Sequence, residues 1–406
     1  MIRIEGARLL ATLIRMVGDL SIAEEAVQEA AIAALAEWPR KGVPDHPRAW
    51  LTTTARHKAI DIIRRERART GKEQAGVQLM ELSRADDPPD TVLRDDLLRL
   101  IFTCCHPALA PESRVALALR TLCQLSTAQV AAVMLTSETA AAKRLTRARQ
   151  KITTARIPYR VPADAELPSR LAAVCGVVHA LYTFGHAPLG GNALTNIDIC
   201  GEGLRLARLL RELLPDEPMP AAVLALILFT EARRPARSDA TGEVVLLADQ
   251  DRGLWDRTLI AEGLQLLDES LRRTEAIADP YQLQAAIAAE HARASSYAQT
   301  DWTEIARLYD LLVAVAPSGP AALSRAVAIA ERDGTEAGLA ALHGLASEPR
   351  LEAVRSELLA RTGRYAEAVV AVDASLVADV TEPERSYRER KRAEWVRFTR
   401  EPSQRC

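Results

Sequence analysis

Aromatic side chains are scarce in this chain, at 4% of residues. Runs of Val, Ile and Thr alternating at period two are missing as well, so β-strands have little to build on and an all-α protein is expected. No apolar run is longer than Ala221–Phe229, about half of what a membrane span requires. The opening Met1-Ile2-Arg3-Ile4-Glu5 has no charged-then-apolar signal pattern. A cytoplasmic location without membrane association is the expectation. The 6 cysteines, at 104, 105, 123, 175, 200 and 406, lack the paired spacing of a zinc site or a secreted disulfide framework, which leaves reduced thiols. A Gly-rich phosphate loop and a nucleophile–base–orienter set are both missing, so neither catalysis nor a cofactor or metal is expected. An excess of one charge is missing too: 52 basic residues face 54 acidic ones, a net −2. Taken whole, that balance speaks against a general attraction to nucleic acid or anionic lipid.

What is present is length and helix-forming composition. With 406 residues, 48% hydrophobic and 26% charged, the chain can bury two or three cores. Charge is unevenly distributed: +3 over residues 1–70, −4 over 71–96, +7 over 97–157 and −8 over 158–406. The near-neutral total is a basic front attached to an acidic back. Asp86-Asp87-Pro88-Pro89-Asp90 combines missing backbone donors with clustered carboxylates, so residues 71–92 read as a linker. Pro158, Pro162 and Pro168 punctuate a second boundary near residue 158.

In the front, a helix is predicted over Glu5–Val17, followed by Gly18-Asp19 and a second helix opened by a capping box of Ser21 and Glu24. Asp19, Glu24, Glu25, Gln28 and Glu29 concentrate acceptors on that helix, opposite Ala26, Ala30 and Ala33. A solvated acidic face at a helix start would carry the same residues, since the dipole favours them there. After Pro44-Asp45-His46-Pro47 comes a helix from Arg48 to Arg69 in which Leu51, Ala55, Ala59 and Ile62 form a burial stripe. Trp50, Thr54, His57, Asp61 and Arg64 fall on an adjacent face. A flat aromatic, short hydroxyls and guanidinium groups suit unpaired bases and phosphates. An ordinary amphipathic helix with a basic C-terminal end fits the same pattern.

A third segment is more specific. Leu125–Met134 reads as a short helix, Leu135-Thr136-Ser137 as a turn, and Glu138–Ile152 as a second helix. There Ala141, Leu145, Ala148 and Ile152 make a packing stripe, with Thr139, Lys143, Thr146 and Gln150 opposite. This is the layout of a helix-turn-helix, whose second helix enters the major groove. A basic helical hairpin that packs on another protein is the competing reading.

These phrases, Ala23-Glu24-Glu25…Val27-Gln28-Glu29, then Ala49-Trp50-Leu51…Ala55-Arg56…Asp61…Arg64-Arg65, then Leu125-Ser126…Val130-Ala131…Arg144-Leu145…Arg147-Ala148-Arg149, resemble in order and spacing the extracytoplasmic-function sigma factors of bacterial RNA polymerase. The resemblance implies a sigma region 2 bundle at residues 1–70, the acidic linker at 71–92 and a region 4 helix-turn-helix domain at 93–157. By the same resemblance Asp19, Glu24, Glu25, Gln28 and Glu29 meet the β′ coiled coil of the polymerase core, and region 4 meets the β flap. Trp50, Thr54, His57, Lys58, Asp61, Arg64 and Arg65 would open and hold the −10 element. Ser137, Glu138, Thr139, Lys143, Arg144 and Arg147 would read the −35 element. The family commonly has Asn where His57 stands and Gly where Leu135 stands. The second departure implies a turn without a left-handed residue.

Residues 158–406 read as successive helices near Ser169–Gly185, Asp198–Leu214, Met219–Arg233, Arg252–Arg273, Tyr281–Tyr297 and Trp302–Ala316, and onward. Pro320…Gly334 and Pro349…Gly363 repeat one helix-plus-turn spacing, and Leu359–Ala368 resembles a tetratricopeptide turn. A stack of helical pairs exposes a concave groove suited to a protein or peptide partner. Together with Leu247–Gly263 and Tyr281–Ala289, these features resemble the sigma group with a fused tetratricopeptide-like extension, which implies control of the sigma factor by that extension. Members tend to carry Asn-Glu-Gly-Tyr where this chain has Thr183-Phe184-Gly185-His186. Asp249, Asp251, Asp256 and Glu262 alternate with Arg252 and Arg257, a pattern of helix caps and ion pairs rather than of a cation site. Cys104-Cys105-His106 and Cys175/His179 lack a second ligand pair and read as packing. The alternative function is a stand-alone helix-turn-helix regulator with a peptide-sensing helical domain.

Overall fold

A computed structural model describes residues 2–70, 90–188, 190–275 and 277–400. It is all-helical: 18 α-helices, with isolated β-bridges only, among the described residues. The predicted linker lies outside the described residues as far as position 89. The chain divides into two compact units, residues 1–181 and 182–406.

The first unit opens with α1 (Ile2–Val17), α2 (Leu20–Lys41) and α3 (Pro47–Thr70). Leu10, Leu13, Ile14 and Val17 of α1 are buried, as are Ala23, Ala26, Val27, Ala30 and Ala34 of α2. Ala34, not Ala33, continues the α2 stripe, because a step of four keeps a side chain on one face. Leu51, Ala55, Ala59 and Ile62 of α3 are all buried, as their spacing predicts. The predicted Ser21/Glu24 capping box does not form. Asp19 is the N-cap, its carboxylate accepting from the N–H groups of Ser21 at 2.7 Å and Ile22 at 3.0 Å. The helix therefore begins one residue before Ser21 and turns Glu24 inward.

Helix α4 (Asp90–Cys104) packs on α1, and α5 (Pro111–Thr121) leads into the pair α6 (Thr127–Val133) and α7 (Glu138–Thr154). Ser126 and Gln129 close a full capping box on α6, and Ser137 caps α7 by accepting from Ala140 N–H at 3.2 Å. Leu135 between them adopts φ +47°, so the turn does contain a left-handed residue. The geometry of the turn demands it: Leu135 N–H reaches Ala132 O and Thr136 N–H reaches Ala131 O at 3.0 Å, the closure that usually recruits glycine. Segment 158–181 belongs to this unit rather than to the back of the chain. The Tyr159 hydroxyl stands 2.8 Å from Ala11 O and 3.0 Å from Asp96 O, and Arg170 donates to Phe102 O. The division falls within α8 (Leu167–His186). By length and composition α8 could cross a membrane, but Leu171, Val174, Cys175, Val178 and Leu181 are buried in the protein.

The second unit continues with α9 (Ile197–Leu213), α10 (Pro218–Ala232), α11 (Arg257–Arg272), α12 (Pro280–Arg293) and α13 (Trp302–Val315). It ends with α14 (Gly319–Asp333), α15 (Thr335–Ala341), α16 (Pro349–Arg361), α17 (Tyr365–Ser375) and α18 (Glu382–Arg400). Consecutive helices pack on one another. The apolar run Ala221–Phe229 is buried on every side in α10, as an all-round hydrophobic helix must be. Helix α11 starts at Arg257 rather than at Arg252, because the Asp256 carboxylate caps it through Thr258 and Leu259 N–H. Asp251 caps the short turn before it, and Glu262 takes both Arg208 nitrogens at 2.6 and 2.8 Å. The repeated Pro…Gly phrases mark α14 and α16, each opened by its proline and followed by a glycine of positive φ, Gly334 at +99° and Gly363 at +77°.

Candidate nucleic-acid interface

Helix α2 does not present its five predicted acceptors as one face. Asp19, Glu25 and Gln28 are exposed, and Glu29 is half-buried. Glu24 is buried, with one carboxylate oxygen 2.5 Å from a guanidinium nitrogen of Arg149 on α7 and the other without a partner. Burial raises the Glu24 pKa, and the nearby Arg149 and Arg120 cations only partly offset it.

On α3 the exposed row is His57, Asp61 and Arg64, while Trp50 and Thr54 are half-buried. Trp50 meets the edge of Trp38 from α2, ring centres 5.6 Å apart. Lys58 and Arg65 turn to α2: Lys58 Nζ lies 3.3 Å from Glu29, and Arg65 reaches Glu29 at 3.2 Å and Glu25 at 3.8 Å. Partial burial pushes the Glu29 pKa up, but hydrogen bonds from Lys58 and Arg65 outweigh it and hold the carboxyl below its ordinary value. Two of the residues expected at DNA thus neutralise two of those expected at a protein partner.

Helix α7 keeps its two faces apart. Ala141, Leu145 and Ala148 are buried, with Ile152 half-buried beyond them, whereas Ser137, Glu138, Thr139, Lys143 and Arg147 are exposed. Arg144 is half-buried at the flank, near the Met134 sulfur. A helix held by a short capped partner and projecting two cations and two polar groups from its first turns can enter a major groove, with the cations at phosphates.

Sequence reasoning missed the residues that tie the two helical modules together. Besides Glu24 and Arg149, Arg15 Nε bonds the fully buried Asp96 at 2.8 Å, with Arg99 at 3.3 Å on its other oxygen. The signal was faint: Glu24 and Arg149 each follow a buried alanine, Ala23 and Ala148, at the border of an apolar stripe where either a core or a surface fate is open.

Comparison with known families matches this layout. Residues 1–69 match the model for sigma-70 region 2 and residues 99–152 that for sigma-70 region 4. Residues 170–271 match a family of unknown function, DUF6596. The chain is 40% identical over 386 residues to an uncharacterized protein of Rhizobium meliloti, covering 93% of this chain and 91% of that one. A Mycobacterium tuberculosis protein named probable ECF RNA polymerase sigma factor SigI is 31% identical over 172 residues, 41% of this chain and 59% of its own length. ECF RNA polymerase sigma factor SigJ of the same species is 30% identical over 217 residues, 47% and 66% of the two chains. No solved structure matches. Two helical modules, the second containing a helix-turn-helix with an exposed polar face, are matched in order by the sigma-70 regions 2 and 4 of transcription-initiation proteins. The chain belongs to the sigma-70 family as a sigma factor of the extracytoplasmic-function type, with a DUF6596 extension at its C-terminal side.

Proposed function

We propose that this sigma factor recruits RNA polymerase core and directs it to a set of promoters with −35 and −10 elements. The acceptors of α2, exposed Asp19, Glu25 and Gln28 with half-buried Glu29, provide charge complementarity to the basic β′ coiled coil, joined by Glu24 once it leaves Arg149. The β flap receives the region 4 domain. His57, Asp61 and Arg64, with Trp50 and Thr54 behind them and Lys58 and Arg65 released from Glu29, hold the melted −10 strand by stacking and phosphate contact. Ser137, Glu138, Thr139, Lys143, Arg144 and Arg147 read the −35 duplex. The protein acts in the cytoplasm and catalyses nothing itself. The C-terminal helical unit, of tetratricopeptide-like pairs, controls the sigma factor's activity from a covalently enforced high local concentration, and its groove takes a protein or peptide.

The observation that carries this reading is the exposure of Glu138, Thr139, Lys143 and Arg147 opposite the buried Ala141, Leu145 and Ala148 of α7, in a chain that matches regions 2 and 4 in order. In vitro transcription with purified core and a promoter library tests it. Lys143→Ala combined with Arg147→Ala is expected to lower promoter-directed transcription at least about tenfold while leaving core binding intact. Sequence-specific binding to duplex DNA in the absence of core, with no open complex in its presence, would instead establish a stand-alone regulator.

A further inference from the structure

The second unit contains a cavity of about 750 Å³, a size typical of small-molecule sites. Its wall is largely apolar, with Leu226, Ile287, Leu312 and Val327 among the contributors. In a chain with 4% aromatic residues, four of them line this one space: Tyr297, Trp302, Tyr309 and Tyr387. Tyr297 and His291 both pack on Trp302, with ring centres 5.1 and 5.3 Å away.

Most charged groups of the lining have partners. Arg361 pairs with Glu331, Lys391 with Glu394 at 3.1 Å, and Glu357 accepts from the Tyr387 hydroxyl at 2.8 Å. Arg388 donates to Ser375 O. Arg233, at the C-terminal end of α10, has no carboxylate within ion-pair distance among the described residues; its guanidinium lies over the Trp255 ring, 5.5 Å from the ring centre, and its buried Nε has no hydrogen-bond partner. The neighbouring cations are held by other groups. Arg237 spends its donors on His186 and Thr195, and Arg252 on His291 O, Ala294 O and Thr300. Beside it His291, 8% exposed, also has an unpartnered ring nitrogen, Nδ1. Burial and the two arginines push the His291 pKa down to about 3, so its ring is neutral, whereas Arg233, lowered by burial to about 10, stays cationic at neutral pH.

A half-buried cation on an apolar wall, compensated only by an aromatic ring, gains from a ligand that supplies a counter-ion. We propose that this cavity binds an organic monoanion, an apolar ring-containing body with a single anionic head that pairs with Arg233 while the body lies against Trp302 and Tyr309. A dianion such as a phosphate monoester would leave its second charge near Glu357 and Glu384, which also line the space. An extended peptide would leave most of its main-chain donors and acceptors without partners on this apolar wall, so a peptide partner of the helical unit binds outside the cavity. The proposal is independent of promoter recognition.

The test uses the full chain and two fluorescent probes with one ring system: 1-anilinonaphthalene-8-sulfonate, a monoanion, and N-phenyl-1-naphthylamine, which is neutral. The anion is expected to bind saturably at one site per chain, about tenfold or more tightly than the neutral probe. Arg233→Gln should abolish that preference and leave the neutral probe's affinity unchanged. Ser324→Glu, which adds a negative charge to the lining, should expel the anion alone and stands in should the Arg233 variant fail the circular-dichroism test of folding. Equal affinity for both probes, non-saturable binding, or a preference for the anion that survives either folded variant overturns the proposal.

Discussion

At the scale of single residues, Glu24 and Arg149 carry the most consequence. A carboxylate 8% exposed and a guanidinium 25% exposed are paired on two helices far apart in the chain, and one oxygen of Glu24 remains unsatisfied. The Glu24 pKa is raised above its ordinary value, so its contribution to stability is complete at acid pH and is lost as pH rises through the raised pKa. Arg149 works against that loss. Arg149→Ala should therefore cost less at pH 5 than at pH 8, where the cost is about 2 kcal/mol, less than for a fully buried pair because Arg149 is partly solvated. Urea denaturation at the two pH values measures this. The double variant with Glu24→Gln should lose the pH dependence, and an equal cost at both pH values would mean that Glu24 is not ionised against Arg149. Neither residue's partner was legible in the sequence, because a step along a helix specifies a face and not what meets it.

At the scale of elements, most of the fold was legible. The stripes of α3 and α7 and the proline starts of α14 and α16 follow from local chemistry that needs no knowledge of the rest of the molecule. The turn between α6 and α7 was misread for an instructive reason. Leucine disfavours a left-handed conformation, yet the two capped helices on either side leave no other path, and tertiary constraint outweighs local preference. Leu135 is 51% exposed, so little burial is lost if it is replaced. Leu135→Gly should raise stability by about 1 kcal/mol, seen as a higher thermal midpoint with unchanged helical circular dichroism. Lower stability would show that its side-chain contacts outweigh the backbone strain. The paired use of Lys58 and Arg65 by Glu29 is an element-scale fact that composition hid, since each helix taken alone shows only a charged face.

At the scale of the whole molecule, the division at residue 181 changes how the chain should be dissected. The prolines at 158, 162 and 168 mark a change of composition, but Tyr159 and Arg170 insert into the first unit beyond them. A chain truncated after Pro158 should lose about 3 kcal/mol relative to one truncated after His186, from orphaned hydrogen-bond partners at Ala11 and Phe102, and melt roughly 10 °C lower. Differential scanning calorimetry of the two truncated proteins checks this. Coincident melting would place the functional boundary near 158 after all. The test of the extension's regulatory role accordingly belongs on the longer of the two, compared with the full chain in promoter-directed transcription.

The sequence alone determined that the protein is helical, that its basic segments are two separate modules, and that the second offers a recognition helix, because periodicity, caps and charge act within a few residues of one another. Tertiary structure decided what each charged side chain faces: Glu24 against Arg149, Asp96 against Arg15, Arg233 against the Trp255 ring beside an apolar cavity. Those pairings join residues remote in the chain, and their energies depend on burial and distance, quantities that exist only once the helices have packed.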